Sequence, residues 1–335
     1  MKFLDVAGVR LSAVGLGTWQ FGSREWGYGP VYDQGIAPEV VVSSLDAGVN
    51  LFDTAEIYGF GRSERILGQA LAERRDEAFI ATKLFPIAPV DPIVTRRAHL
   101  SARRLGIEVI DLYQVHWPNP AFSLSATMKS LARLQREGLI RHVGVSNFSL
   151  DRWRRAEELL GAPVLSNQVR YNLIDRRIER EVLPWAQEHD RLVLAYSPLQ
   201  QGLLSAHYGP DNIPKGIRSN TPAFLPENLR RGEHLFEVLR RVADAHQASA
   251  AQVSLAWLLR RPNVVVIPGA SSVAQAESNA AAADLELTDD EDAELIAASD
   301  DYQSIGGAAA IGGLARKRVG ELGGRVRGIV EGLRA

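Results

Sequence analysis

Three ionisable side chains, Asp53, Lys83 and His116, each stand at or near the end of a short β-forming run. The runs are VNLFDT (49–54), FIATK (79–83) and VIDLYQVH (109–116). Strand alternation puts Asp53 on one face with Leu51 and Val49, Lys83 with Ala81 and Phe79, and His116 with Gln114, Leu112 and Ile110. Lysine and aspartate are almost never buried unless paired, so an ion pair between Lys83 and Asp53 is expected. A paired lysine stays an ammonium and favours the charged form of an acid beside it. An unpaired one could instead form a Schiff base, which keeps an aldolase using Lys83 open as an alternative. The plainer reading is an Asp–Lys pair plugging the end of a sheet, with His116 a satisfied neighbour. That reading suits any one of the residues alone, but three at successive strand ends favour a chemical site. His116 has no second histidine at ligand spacing, so no metal site is expected.

The elements that must position these groups alternate. Further β-rich runs are HVGVSN (142–147), VLSNQ (164–168), LVLAYS (192–197) and VVVIPG (264–269). The last is continuously apolar, which suits a parallel strand buried on both faces. Asp53, Lys83, His116, Ser146, Gln168 and Tyr196 follow one another at steps of 30, 33, 30, 22 and 28 residues. Each step is long enough for one strand–helix crossover. Residues 63–75 put Ile66, Leu67, Ala70 and Leu71 on one helical face. Asp91 followed by Pro92 reads as an N-cap with proline at the first helical position. Residues 124–137 end at Gly138, and Ser149 opens a stretch closing at Gly161. Ser249 with Gln252, and Thr288 with Glu291, have capping-box spacing. With residues 281–285 as the eighth strand, the fold class is α/β, a (β/α)8 TIM barrel. A hairpin around Ala7 and Gly8 precedes it. A Gly/Pro/Asn-rich segment, 200–232, makes a long loop after strand six.

Composition narrows the function. The 335 residues are 46% hydrophobic and 23% charged, the balance of a folded globular protein. Net charge is −2, so no nucleic-acid partner is expected. There is no cysteine, hence no thiolate chemistry. Neither a cleavable leader nor an apolar run near 18 residues is evident, so no stable membrane insertion is expected and a cytoplasmic location fits. The barrel is assigned to residues 1–305. Residues 306–335 form a separate glycine-containing tail, expected to be helical, whose last 27 residues hold six basic and two acidic groups.

LFDTAEIYG (51–59), ATK (81–83), DLYQVHWP (111–118), GVSNFS (144–149), NQVRYN (167–172), AYSPL (195–199) and IPGASS (267–272) together resemble the aldo-keto reductases. The branch they resemble most is that of bacterial enzymes and potassium-channel β-subunits. The likeness spans roughly residues 1–300. It implies transfer of a hydride between a nicotinamide and a carbonyl, with Tyr58 as general acid, Lys83 and Asp53 adjusting it and His116 fixing the substrate. A free phenol titrates near 10, and the Lys83 ammonium is expected to lower that value. GLGTWQFG (15–22) is no dinucleotide fingerprint, because the third glycine of that motif would fall on Gln20.

The resemblance also implies the cofactor contacts. Ser146, Asn147 and Gln168 match positions that hold the nicotinamide carboxamide. Tyr196 matches the residue stacked on the ring, and Thr18 and Trp19 lie near the ribose, with Asp53 close by. Ser197, Pro198, Leu199, Gly202 and Leu203 match a loop along the pyrophosphate. Arg218 resembles an arginine reaching the adenosine end. Gly269, Ser271, Gln275 and Asn279 match the segment that meets the 2′-phosphate. That segment has no lysine or arginine, so its hydroxyl and amide donors would hold the phosphate less firmly; NADPH stays the favoured cofactor and NADH is a second option. The partner implied is a small-molecule carbonyl substrate, and a homo-oligomer is compatible with the sequence. Trp26 and Trp117 are candidate pocket walls, which favours an apolar or aromatic aldehyde or ketone. Tyr28 and Tyr32, near Trp26, either join them or anchor the loop 23–36. A redox-sensing, nicotinamide-binding regulatory subunit with slow turnover is the other reading the resemblance allows.

Overall fold

The computed structural model describes residues 1–23 and 28–305. Trp26 and the tail at 306–335 lie outside the described residues. The chain opens with an antiparallel hairpin, β1 (Phe3–Val6) and β2 (Val9–Ser12). Ala7 and Gly8 both take positive φ, as a two-residue primed turn requires.

Eight parallel strands follow in sequential neighbour order. They are β3 (Leu16–Gly17), β4 (Leu51–Asp53), β5 (Phe79–Leu84), β6 (Ile110–Val115), β7 (Ile140–Ser146), β8 (Ser166–Arg170), β9 (Leu192–Tyr196) and β10 (Val264–Val266). The sheet closes on itself. Val14 bridges Val266, Gly17 bridges Gly269, and Gly17 N donates to the Pro268 carbonyl at 3.0 Å. The architecture is the expected (β/α)8 barrel.

One strand is not where the sequence predicts it. Residues 281–285 are not extended. Ala281 ends helix α10 (Val273–Ala281), and Ala282–Asp284 is a single 3-10 turn. Their alanines lack the β-branched side chains that favour a pleated surface. The remaining barrel strand is β3, which precedes all the others. It is short and glycine-flanked because the sheet closes there: a Cβ on Gly17 would sit 2.7 Å from the Ile267 carbonyl oxygen.

Helices between the strands follow their caps. Ser149 and Ser123 accept from the amides of Arg152 and Ala126 and open α5 (Leu150–Leu160) and α4 (Leu124–Arg136). Gly161 and Gly138 close them with positive φ. Both capping boxes form, on α9 (Ala250–Leu259) and α11 (Asp289–Asp301). α2 (Arg62–Leu71) ends earlier than the expected helix and continues as a 3-10 turn, Ala72–Glu77. α3 (Ile93–Leu105) begins after Pro92, and Asp91 caps no amide; its carboxylate accepts from Thr95 Oγ1 at 2.7 Å and from Arg133. The long loop after β9 contains short turns and α7 (Pro226–Arg231).

Two apolar layers hold the barrel. Leu51, Ala81, Leu112, Leu192, Leu194 and Val265 fill its inside, and Val6 and Leu11 of the hairpin join them as a plug. Outside, Tyr113, Val143, Trp153, Val193 and Trp257 pack between strands and helices. Ile110 belongs to this outer layer, not to the inward row expected for it. Fully burying each such large side chain contributes roughly 1.5–3 kcal/mol. Among the described residues, no helix is long and apolar enough to cross a membrane.

Candidate active site

The inward rows run out of apolar residues at the C-terminal ends of the strands. Asp53 ends β4, Lys83 is next to last in β5, and His116 follows β6 directly. Parallel pairing puts Asp53 beside Ala81 and Lys83 beside Gln114. The three groups therefore converge at one rim. Lys83 is fully buried and Asp53 nearly so.

Lys83 Nζ donates to Asp53 Oδ1 at 2.5 Å, to the Thr54 carbonyl at 2.8 Å and to Tyr58 Oη at 3.3 Å. All three ammonium protons are thus placed. The other carboxylate oxygen of Asp53 accepts from Gln168 Nε2 at 2.7 Å and from Gln114 Nε2 at 3.4 Å. Burial alone would depress the lysine, but Asp53 and Tyr58 outweigh it and hold the Lys83 ammonium above its ordinary value. Such a lysine is a poor nucleophile, which counts against a Schiff base.

Tyr58 corrects an expectation. Burial raises its phenol above the ordinary value, and the opposing pull of Lys83 does not overcome that. The group is a protonated donor at neutral pH. Its ring meets His116 edge-on at 5.8 Å and Trp19 at 6.4 Å. His116 is held neutral, its pKa pushed down to about 3 by burial first and by the Lys83 charge second. Its Nδ1 is buried with no hydrogen-bond partner among the described residues.

A second group of side chains flanks this cluster. Ser146 Oγ donates to the Gln168 carbonyl at 2.8 Å. Asn147 Nδ2 donates to Ser146 Oγ at 3.0 Å and to the His116 carbonyl at 3.3 Å, while Tyr196 Oη donates to Asn147 Oδ1 at 2.9 Å. The Asn147 carboxamide, the Ser146 hydroxyl and the Tyr196 ring are therefore linked at the rim, and the Gln168 carboxamide lies beside them on Asp53. That donor and acceptor set matches an amide-bearing aromatic ring such as nicotinamide.

The remaining expected contacts fall into two places. Gly202 takes φ +95, and Arg218 lies against its loop, donating to the Gln201 carbonyl at 3.4 Å and covering the Tyr208 ring. Ser197 has positive φ, Pro198 is buried, Leu199 is partly buried, and Leu203 is in the core. Barrel closure sets Gly17 beside Gly269, so Thr18 and Trp19 run alongside that segment. There Gln275 Oε1 accepts from both the amide and the hydroxyl of Ser271 at 2.8 Å, and Asn279 donates to the Gly269 carbonyl. Thr18 points inward, its hydroxyl bonded to the Asp53 carbonyl at 2.9 Å. Trp117 is half exposed and stacks beside His116 at 6.3 Å. Tyr32 bonds the Ala270 carbonyl and Tyr28 stacks on Tyr32 at 4.2 Å, so these two rings anchor their loop.

Gln114 was not singled out as a site residue from sequence, although it shared the inward face with His116. Thr54, Ser63 and Glu64 gave no signal either. Their hydroxyls and carboxylate act through contacts between elements far apart in the chain.

A parallel barrel with a buried lysine–carboxylate pair beside a tyrosine and a histidine at its C-terminal rim defines a barrel enzyme suited to proton transfer. The model of the Aldo/keto reductase family matches residues 13–300. An uncharacterized oxidoreductase of Mycobacterium tuberculosis is 52% identical over 289 residues, covering 86% of this chain and 90% of that protein. The glycerol dehydrogenase structure from Gluconobacter oxydans superposes with a TM-score of 0.82 at 32% identity, covering 91% of this chain and 97% of that one. An aldo/keto reductase from Klebsiella pneumoniae in complex with NADP and acetate gives 0.73 at 30% identity, covering 88% and 94%. The chain belongs to the aldo/keto reductase family and is an NAD(P)H-dependent oxidoreductase.

Proposed function

We propose that the protein reduces the carbonyl of an aldehyde or ketone to an alcohol with NADPH, using Tyr58 as general acid. The observation that carries this reading is the Lys83 ammonium, 2.5 Å from Asp53 and 3.3 Å from the Tyr58 oxygen. Tyr58 gives its proton to the carbonyl oxygen as negative charge develops there. The phenolate left behind lies beside a full positive charge that Asp53 keeps in place. Stabilising charge only as it forms favours the transition state over the ground state. His116, neutral, offers a ring N–H to the same oxygen and orients it.

Ser146, Asn147 and Gln168 would hold the nicotinamide carboxamide, and the Tyr196 ring would support its plane. The bound cofactor supplies the hydride that the carbonyl carbon accepts. Ser271, Gln275 and Arg218 would meet the 2′-phosphate, and the structure of the Klebsiella relative with NADP supports NADPH as the cofactor. Half-exposed Trp19 and Trp117 at the rim favour a substrate with an apolar or aromatic body. The test is NADPH oxidation followed across a panel of aromatic, aliphatic and small polar aldehydes. Turnover highest on the aromatic members supports the reading, and a panel with no turnover refutes it.

A further inference from the structure

Lys83 and Tyr58 face each other only because two strand ends and one loop are held in register. Tyr58 sits midway along the loop joining β4 to α2. Where that loop leaves the strand, the Thr54 carbonyl accepts from Lys83 Nζ. Where it enters the helix, Ser63 lies in the first turn of α2. Thr18, Thr54 and Ser63 are all fully buried.

Their hydroxyls meet. Ser63 Oγ is 2.9 Å from Thr54 Oγ1 and 2.7 Å from Thr18 Oγ1. Thr18 Oγ1 lies 2.9 Å from the Asp53 carbonyl, which has no proton, so Thr18 is the donor there. Ser63 Oγ also donates to the Thr18 carbonyl at 2.9 Å, so its one proton is shared between that carbonyl and the Thr18 hydroxyl, and Ser63 accepts from Thr54. The three hydroxyls, with the carbonyls of Thr18 and Asp53, form one buried network at the two ends of the Tyr58 loop. The next residue adds a second tie: Glu64, also fully buried, accepts from Thr82 Oγ1 at 2.7 Å, beside Lys83 on β5. The start of α2 is thereby bonded to both strands that carry the buried ion pair.

We propose that Ser63 is a positioning residue for proton transfer: by tying the two ends of the Tyr58 loop together and to Thr18, just past β3, it sets the distance between Tyr58 and Lys83. This rests on the assignment of Tyr58 as general acid. Ser63 touches neither substrate nor cofactor, so its loss should act on kcat and leave cofactor affinity nearly unchanged. A displacement of the reacting groups by an ångström costs on the order of 10²-fold in rate.

The test uses the full chain with three substitutions: Ser63→Ala, Thr54→Val and Thr54→Ser. Two readouts are taken, steady-state reduction of an aromatic aldehyde with NADPH and amide hydrogen exchange over residues 54–62. Ser63→Ala and Thr54→Val are each expected to lower kcat by about 30- to 100-fold, in line with that misplacement cost. The NADPH dissociation constant should stay within about threefold, and exchange should quicken in the Tyr58 loop. Thr54→Ser, which keeps the hydroxyl, is expected to recover most of kcat. Unchanged exchange in Ser63→Ala overturns the proposal, and this readout needs no turnover. Quickened exchange with wild-type kcat overturns it as well, as does a Thr54→Ser variant as slow as Thr54→Val. A wild-type protein that reduces no aldehyde refutes the reductase reading separately, while exchange still decides whether Ser63 holds the loop.

Discussion

Lys83 Nζ and Asp53 Oδ1 lie 2.5 Å apart inside the barrel rim, with the lysine side chain fully buried and the aspartate 4% exposed. Burying two charges is costly unless each has further partners. Here Asp53 also takes two glutamine amides, and Lys83 also takes a carbonyl and a phenol. The pair is therefore satisfied on both sides, and removing one member leaves the other exposed to the full desolvation cost.

Asp53→Asn is accordingly expected to destabilise the fold by about 3–5 kcal/mol, the range for breaking a buried pair. The sign with pH follows from the lysine. Its folded pKa is raised, so its stabilisation is fully present below the unfolded value and is lost only as pH rises through the folded one. At neutral pH the whole effect should appear in urea unfolding. A loss below 1 kcal/mol would show that the pair contributes little.

His116 titrates in the opposite sense. Its folded pKa, about 3, lies below the ordinary histidine value. The unfolded chain takes up the proton first, so stability from this group is present above about pH 6.5 and is lost as pH falls from there towards 3. His116→Gln should flatten that part of the stability curve. Lys83→Met should raise the His116 pKa, because it removes one of the two causes of the depression. Urea unfolding measured against pH checks the first, His116 carbon shifts measured by NMR check the second, and a His116 that titrates near 6.5 in the folded protein would contradict both.

On the proposed reading, cofactor choice depends on one charge. Ser271 and Gln275 would bring a hydroxyl and an amide to the expected phosphate position, and Arg218 would bring the cation. Loss of a charge-assisted hydrogen bond is worth about 1.5–3 kcal/mol, so Arg218→Ala should weaken NADPH binding by about 10- to 100-fold. NADH binding should change by less than about threefold, because that cofactor lacks the 2′-phosphate. Fluorescence titration with both cofactors separates the two. Equal losses for NADPH and NADH would place Arg218 away from the phosphate.

Much of the rim could be read from the chain because Asp53 and Lys83 each close an inward row that is apolar before them, whereas the His116 row is broken by Gln114 and by Ile110, which packs outside. Asp53 and Lys83 follow from period alone, and Tyr58 and the role of Tyr196 from the resemblance. What escaped depended on contacts between distant segments. β3 is two residues long and rich in glycine, and only the approach of Ile267 explains why no side chain fits there. Residues 281–285 took its place in the strand count because an alanine run carries no period to distinguish turn from strand. The Tyr58 pKa escaped for a related reason: Lys83 was visible as a neighbour, but the degree of burial that outweighs it was not. Ser63 and Thr54 looked like ordinary helix-start and strand-end residues, and only the fold brings their hydroxyls together.

On this proposal Tyr58 donates the proton and Lys83 supports the phenolate that remains. The most direct test is a single-turnover measurement of NADPH oxidation with an aromatic aldehyde, comparing the wild type with Tyr58→Phe. General acid catalysis contributes typically about 10²- to 10⁴-fold, so the variant should lose that much in rate while binding NADPH within about threefold of the wild type. A Tyr58→Phe protein that reduces the aldehyde at the wild-type rate would contradict the account.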